Sequence, residues 1–148
     1  MKKEFISDSP ESTASIAESF SKTLKGGEIL SFYGDLGLGK TCFIKGLAKG
    51  LGYTGNVTSP TFDIVNEYRG GRLDLFHFDM YRISGWDDLF TTGYFEYADE
   101  GGVIATEWSE NIENAIPDDS IRITLERIND TTRKITIERR EQDENTCN

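Results

Sequence analysis

Two spacings of apolar residues alternate along this chain of 148 residues, and they predict both helices and strands. Helical spacing predicts a first helix from Pro10 to about Leu24 and a second from Cys42 to Leu51. Short apolar or alternating runs predict strands at residues 4–7, 28–33, 62–68, 73–78, 102–106, 121–125 and 134–137. The remaining helices are predicted at 86–97, with a break near Gly93, and in a short segment from Ser109 that ends by Pro117. Strands that alternate with helices in this way are typical of an α/β fold.

Turn residues connect two pairs of these strands, so each pair is predicted to form a hairpin. The glycines in Arg69–Arg72 separate the strands at 62–68 and 73–78, and Asn129-Asp130 lies between the last two strands. Hairpin strands are antiparallel, whereas strands joined through helices run parallel. The central sheet is therefore expected to be mixed.

A glycine-rich segment joins the strand at 28–33 to the helix at 42–51. Its eight residues, Gly34–Thr41, fit the phosphate-loop pattern G-x-x-x-x-G-K-[ST] at every fixed position. Glycines let backbone N–H groups turn inward around an anion, and the helix N-terminus that follows also favours negative charge. Lys40 can then reach the β- and γ-phosphates of a nucleotide, and the Thr41 hydroxyl can hold Mg²⁺. The segment predicts a nucleoside triphosphate site.

Two strand ends compete to supply the second acidic ligand of the Mg²⁺ ion. Asp79 ends the strand at 73–78, and Glu107 ends the strand at 102–106. Phosphate-loop enzymes place a carboxylate at such a strand end to hold the metal, and a further polar group orients the attacking water. Asp79 is favoured for the metal, which leaves Glu107 for the water or for a metal contact. For His77, a structural hydrogen bond and a catalytic role are both open. For Arg82, a phosphate or partner contact and a surface ion pair are both open.

The charge balance limits the partners of the chain. It has 16 basic and 26 acidic residues, a net charge of −10 that disfavours direct binding to nucleic acid. No apolar stretch of about 18 residues predicts a membrane span, and no apolar region follows the basic N-terminus, so a cytoplasmic protein is expected. We expect one domain over residues 1–140 and a disordered acidic tail over 141–148. Cys42 and Cys147 are too few for a structural metal site.

Four segments in order resemble the TsaE (YjeE) family, small bacterial ATPases required for threonylcarbamoyl modification of adenosine 37 in tRNA. They are Gly34–Thr41, Val57–Phe62, His77–Arg82 and Glu107-Trp108. The resemblance spans about residues 5–140. Leu38 departs from it where a small residue is usual, and residues 93–97 follow the family's acidic helix pattern only loosely.

The resemblance implies a P-loop NTPase-like three-layer fold with a mixed central sheet and flanking helices. It further implies an ATPase that uses Mg²⁺, is weak alone, and acts with the TsaD and TsaB proteins, meeting tRNA only through that complex. Thr61 would lie in a switch-like loop near the γ-phosphate, and Asp79 would bind the metal. Glu107 and Trp108 would lie at the nucleotide site, Glu107 acting in catalysis or on the metal. The implied nucleotide contacts are Asp35, Leu36, Gly37, Leu38, Gly39, Lys40, Thr41 and Cys42.

Two other classes of phosphate-loop protein are alternatives. A regulatory GTPase reads guanine with an Asn-Lys-x-Asp segment, which this sequence lacks. A small-molecule kinase closes an arginine-rich lid over its acceptor, and only Arg69, Arg72 and Arg82 lie between the switch-like loop and Trp86. Hydrolysis of ATP coupled to a partner complex is the favoured interpretation.

Overall fold

A computed structural model describes residues 2–34, 39–55, 64–81, 83–107 and 109–139. The strands are β1 (Lys2–Ser7), β2 (Ile29–Gly34), β3 (Val65–Tyr68), β4 (Leu75–Asp79), β5 (Val103–Glu107), β6 (Ile121–Arg127) and β7 (Arg133–Arg139). The helices are α1 (Pro10–Ser21), α2 (Gly39–Gly50), α3 (Trp86–Thr91), α4 (Tyr94–Ala98) and a 3₁₀ helix (Ser109–Ala115). The predicted disordered tail lies outside the described residues.

The described strands form one mixed sheet in the order β1-β7-β6-β2-β5-β4-β3. The four strands β6, β2, β5 and β4 are parallel, and both predicted hairpins, β3–β4 and β6–β7, are antiparallel. β1 pairs with β7 in antiparallel orientation and forms one edge of the sheet. The predicted mixed α/β sheet is therefore confirmed.

Helices cover both faces of this sheet. Alternate side chains of a strand point to opposite faces, so Leu75 packs with Ala17 of α1 and Leu47 of α2. Phe76 and Phe78 point the other way and pack against α3, α4 and the 3₁₀ helix, and the rings of Phe78 and Tyr94 lie 5.5 Å apart. Burial of each such side chain contributes about 1.5–3 kcal/mol. Two helical layers around a sheet confirm the predicted three-layer arrangement.

Close packing of α1 on α2 depends on a glycine. A Cβ at Gly46 would lie 2.1 Å from the backbone oxygen of Ala14, so a larger residue would push the helices apart. The Ser9 hydroxyl caps α1 by accepting a hydrogen bond of 3.0 Å from the Ser12 N–H.

Two helix boundaries show where the apolar pattern is accurate and where it is not. The helix α1 ends at Ser21 instead of Leu24, because the backbone tightens there into turns such as Leu24 N–H to Ser21 O at 3.1 Å. The predicted break at Gly93 is confirmed, since Gly93 has φ of 82° and separates α3 from α4. Within the described ranges, every helix is too short or too polar to cross a membrane.

Candidate nucleotide site

The carboxyl ends of three parallel strands converge at one edge of the sheet. β2 ends at Gly34, β4 at Asp79 and β5 at Glu107. Asp79 and Glu107 are register partners in the β4–β5 ladder, and Met80 N–H donates to the Glu107 carbonyl at 3.0 Å. The two acidic residues that the sequence singles out are therefore neighbours. Ligands of open α/β sheets bind at this edge.

The glycine-rich segment leaves the same edge between β2 and α2. Gly34 has φ of 94°, and a Cβ there would lie 2.3 Å from the backbone oxygen of Leu125, so only glycine fits. Gly39 begins α2, which places Lys40 and Thr41 in its first turn. Backbone N–H groups in a first helical turn have no partner within the helix. The strand–loop–helix order that the motif requires is present.

Lys40 contributes a buried positive charge to this edge. Its side chain is only 2% exposed, which is rare for lysine. A buried ammonium group is stable only beside negative charge or polar partners. Burial tends to raise the pKa of Glu107, but the contact and electrostatic interaction with His77, together with the charge of Lys40, hold that pKa below its ordinary value. Glu107 is therefore ionised at neutral pH.

His77 is the buried neighbour of Glu107. Its Nε2 lies 3.1 Å from Oε2 of Glu107, within ion-pair distance but without the alignment of a full hydrogen bond. The His77 side chain is 2% exposed and that of Glu107 is 17% exposed. His77 opposes Ala105 in the β4–β5 ladder, and Ala105 packs with the α1–α2 core. His77 therefore faces α2, opposite to Phe76 and Phe78.

Asp79 is held in a turn at the end of β4. Its Oδ1 accepts a hydrogen bond of 3.0 Å from the Tyr81 N–H. The Asn111 side chain, from the 3₁₀ helix, donates to the carbonyls of Met80 at 2.8 Å and Tyr81 at 3.1 Å. Asn111 therefore fixes the turn that carries Asp79. No motif in the sequence points to Asn111, whose only signal is a polar side chain in the short predicted helix that follows Glu107.

Buried hydroxyl groups support the end of β5. The Thr106 Oγ1 and Ser109 Oγ atoms lie 2.7 Å apart, and the Ser109 hydroxyl donates to the Thr106 carbonyl at 3.0 Å. Both side chains are fully buried. These contacts anchor the backbone on both sides of residue 107, so the direction of the Glu107 side chain is constrained. No sequence motif points to this pair either.

A cavity of about 220 Å³ adjoins the first turn of α2. Gly39 and Cys42 line it on one side, and Ser9 and Asp130 line it on the other. Cys42 is a free, partly buried thiol. Cys42 is also one of the residues predicted to contact the nucleotide, and that role stays a prediction.

Several predicted site residues lie outside the described part of the chain. They are Asp35, Leu36, Gly37, Leu38, Thr61, Arg82 and Trp108, so their roles remain predictions. Of the described site residues, Lys40, Thr41, Asp79 and Glu107 belong to elements that meet at one edge. Within the described ranges, no group of three or more His, Cys, Asp or Glu side chains is arranged to hold a metal by itself.

Comparison with known proteins identifies the family. The sequence model of the family described as "Threonylcarbamoyl adenosine biosynthesis protein TsaE" matches residues 7–135. A Bacillus subtilis (strain 168) protein named tRNA threonylcarbamoyladenosine biosynthesis protein TsaE is 43% identical over 128 residues, 86% of this chain and 80% of that protein. A protein of the same name from Treponema pallidum (strain Nichols) is 38% identical over 89% of this chain and 97% of its own length.

A solved structure agrees with the sequence relatives. The crystal structure of Bacillus subtilis YdiB superposes with a TM-score of 0.74 at 37% sequence identity. The superposition covers 93% of this chain and 84% of that one. The family match covers most of the chain. The fold has the strand–loop–helix order of a phosphate loop between β2 and α2. This chain belongs to the TsaE family, the family of tRNA threonylcarbamoyladenosine biosynthesis proteins.

Proposed function

We propose that this protein is a Mg²⁺-dependent ATPase that acts with TsaD and TsaB in the threonylcarbamoyladenosine modification of tRNA, in the cytoplasm. The carrying observation is the buried Lys40 in the first turn of α2, close enough to Glu107 to lower the pKa of its carboxyl. This arrangement places a cation and a carboxylate at the edge where the glycine-rich loop would present phosphates. Membership of the TsaE family supports the pathway.

The side chains at this edge have the chemistry that Mg²⁺ prefers. The Thr41 hydroxyl and the carboxylates of Asp79 and Glu107 offer hard oxygen ligands, and the Asp79 turn is fixed by Asn111. Mg²⁺ is commonly held by one or two such groups together with substrate phosphates and water. When bound, the ion would offset phosphate charge as the γ-phosphoryl group is transferred. Thr41 and Asp79 are proposed to hold it.

The ionised state of Glu107 limits its role in hydrolysis. Hydrolysis breaks the bond from the γ-phosphorus to its bridging oxygen, forms a bond to a water oxygen and releases a proton. A carboxylate with a lowered pKa accepts a hydrogen bond from water but is a weak general base. Phosphoryl transfer through a loose transition state depends more on positioning and charge than on proton removal. Glu107 is therefore proposed to orient the water, while Lys40 offsets charge on the phosphates.

We expect the isolated protein to hydrolyse ATP slowly and the TsaD–TsaB complex to raise its turnover. The physical reason is that the described site lacks a strong general base, so additional groups or a closed switch-like loop must complete it. Steady-state ATPase rates with and without TsaD and TsaB would measure the effect, which we expect to be about tenfold or more. The yield of modified adenosine should be measured in the same reactions.

The control for this experiment is a reaction with TsaD, TsaB and tRNA from which this chain is left out. If repeated turnover of tRNA modification continues when this chain is left out, the proposed function is wrong even if the chain binds ATP. If ATP and GTP support equal turnover, the assignment of ATP is wrong.

His77 is proposed to position Glu107, and two amide variants separate this role from simple packing. His77→Gln can place an amide nitrogen near the position of Nε2, whereas His77→Asn reaches only the position of Nδ1. Because only Nε2 contacts Glu107, we expect His77→Gln to keep most of the kcat and His77→Asn to lose about 10–100-fold. The KM for ATP should change little in both. Equal losses in the two variants would contradict the positioning role.

A further inference from the structure

The negative charge of this chain is concentrated in one segment. Between Arg82 and Arg122 the sequence contains ten acidic residues and no lysine or arginine. The rest of the chain contains the other 16 acidic residues and all 16 basic residues, so it is balanced. The whole net charge of −10 therefore belongs to residues 83–121.

This acidic segment builds the sheet face opposite to α1 and α2. It contains α3, α4, β5 and the 3₁₀ helix, whose apolar residues pack in the core with Phe76 and Phe78. Four of its acidic residues are exposed on or beside the two short helices: Asp87, Asp88, Glu96 and Asp99. Among described residues, Asp87, Glu96 and Asp99 form no salt bridge. Their charge is thus available to a partner.

Three aromatic side chains form a patch on the same helices. Trp86 is 49% exposed and Phe90 is 59% exposed. Phe95 joins them, with ring centroids 4.9 Å from Phe90 and 6.2 Å from Trp86, the latter pair nearly parallel at 10°. Large aromatic side chains that cluster on a surface mark interaction sites more often than chance exposure does. Trp86, Phe90 and Phe95 are here called the aromatic patch.

A cavity lies beside Trp86 of the aromatic patch and is lined by Asn111. Its volume is about 260 Å³, and Trp86, Leu89 and Asn111 are among its lining residues. Asn111 also donates to the carbonyls of Met80 and Tyr81, in the turn that holds Asp79. A side chain that entered this cavity would contact the residue that fixes the proposed metal ligand. The patch is therefore placed to influence hydrolysis.

We propose that the aromatic patch and its exposed acidic residues form the docking surface for a basic protein surface of the TsaD–TsaB complex. Arginine and lysine side chains can lie on aromatic rings while they pair with nearby carboxylates. Nucleic acid does not fit, because its phosphates would be repelled by this face. A second copy of the chain does not fit either, because two acidic faces would oppose each other. The inference rests on the proposed function and adds the surface that serves it.

Two matched pairs of variants test this surface. The affinity of each variant for purified TsaD–TsaB is measured at several salt concentrations. Phe90→Ala is paired with Ile6→Ala, since Ile6 is also exposed, at 61%, but lies on β1. Asp87→Lys is paired with Glu4→Lys, an exposed acidic residue of β1 that gives the same change in net charge. We expect each patch variant to bind about tenfold more weakly and each β1 variant to bind within about twofold of the parent. Asp87→Lys should also reduce the salt dependence of binding.

Nucleotide binding and thermal melting of all four variants show whether the site and the fold are intact. Equal complex binding by the patch variants and their β1 partners would overturn the docking surface while leaving the proposed function standing. If the parent chain itself fails to bind TsaD–TsaB, the proposed function fails, and the surface fails with it. Self-association, or direct tRNA binding, that Phe90→Ala abolishes would assign the patch to a second copy or to RNA and contradict the proposal.

Discussion

Lys40→Ala should reduce ATP hydrolysis by about 100-fold or more, and it should weaken triphosphate binding. Lys40 is proposed to supply the positive charge that offsets the phosphates, and it is the only described lysine or arginine in the first turn of α2. ATPase rates and equilibrium binding of a fluorescent ATP analogue would measure both losses. Hydrolysis at the parent rate by a folded variant would refute the site assignment.

The burial of Lys40 calls for a second substitution as a control. The side chain is among the largest that are fully buried, so truncation to alanine leaves unfilled space as well as removing charge. Lys40→Met keeps most of the volume without the charge. We expect both variants to lose hydrolysis, with Lys40→Met retaining the higher melting temperature. Activity that is restored in Lys40→Met would show that packing, and not charge, is the contribution of Lys40.

Asp79→Asn should lower Mg²⁺-dependent hydrolysis by about 100-fold while ATP binding is partly retained. Asparagine keeps the shape of the side chain and its oxygen can still accept from the Tyr81 N–H, but the charge that would hold the metal is lost. A titration of ATPase rate against Mg²⁺ concentration would show a shifted midpoint, because weaker metal binding can be offset by more metal.

Glu107→Gln is the matched comparison, since it also replaces a carboxylate by an amide at the same sheet edge. We expect hydrolysis to fall without recovery at high Mg²⁺, because the loss concerns the water and not the metal. If Glu107→Gln shifts the Mg²⁺ midpoint and Asp79→Asn does not, the two roles are reversed.

The lowered pKa of Glu107 adds a pH dependence that the variant should lose. A carboxyl with a lower pKa in the folded state stabilises the fold above its unfolded pKa, near the ordinary value of 4.5, and this contribution disappears as the pH falls through the folded pKa. Unfolding measurements from neutral to acidic pH should therefore show a smaller loss of stability in Glu107→Gln than in the parent.

Local sequence signals predicted the glycine-rich loop and the strands around it. Gly34–Thr41 can be recognised from its own residues, because the pattern fixes two glycines, a lysine and a threonine within eight positions. The hairpin turns and the break at Gly93 are equally local, and the structure agrees with them. The placement of Asp79 and Glu107 at strand ends also followed from the apolar runs before them.

Contacts between distant strands could not be predicted in the same way. The approach of His77 to Glu107 depends on the register between β4 and β5, which no residue of either strand encodes alone. The bonds from Asn111 to the turn after Asp79 arise only once the 3₁₀ helix packs over β4. The burial of Lys40 likewise results from tertiary packing, because lysine in a first helical turn is ordinarily exposed.

The position of β2 in the sheet has a consequence for synthesis on the ribosome. Both neighbours of β2 come much later in the chain: Ile29 pairs with Ile104, and Leu30 pairs with Ile121. A nascent chain that has emerged only as far as α4 therefore has the glycine-rich loop but neither strand that completes β2. Such distant pairing slows folding. The proposed nucleotide site depends on both pairings, so we expect nucleotide binding only after β5 and β6 have left the exit tunnel.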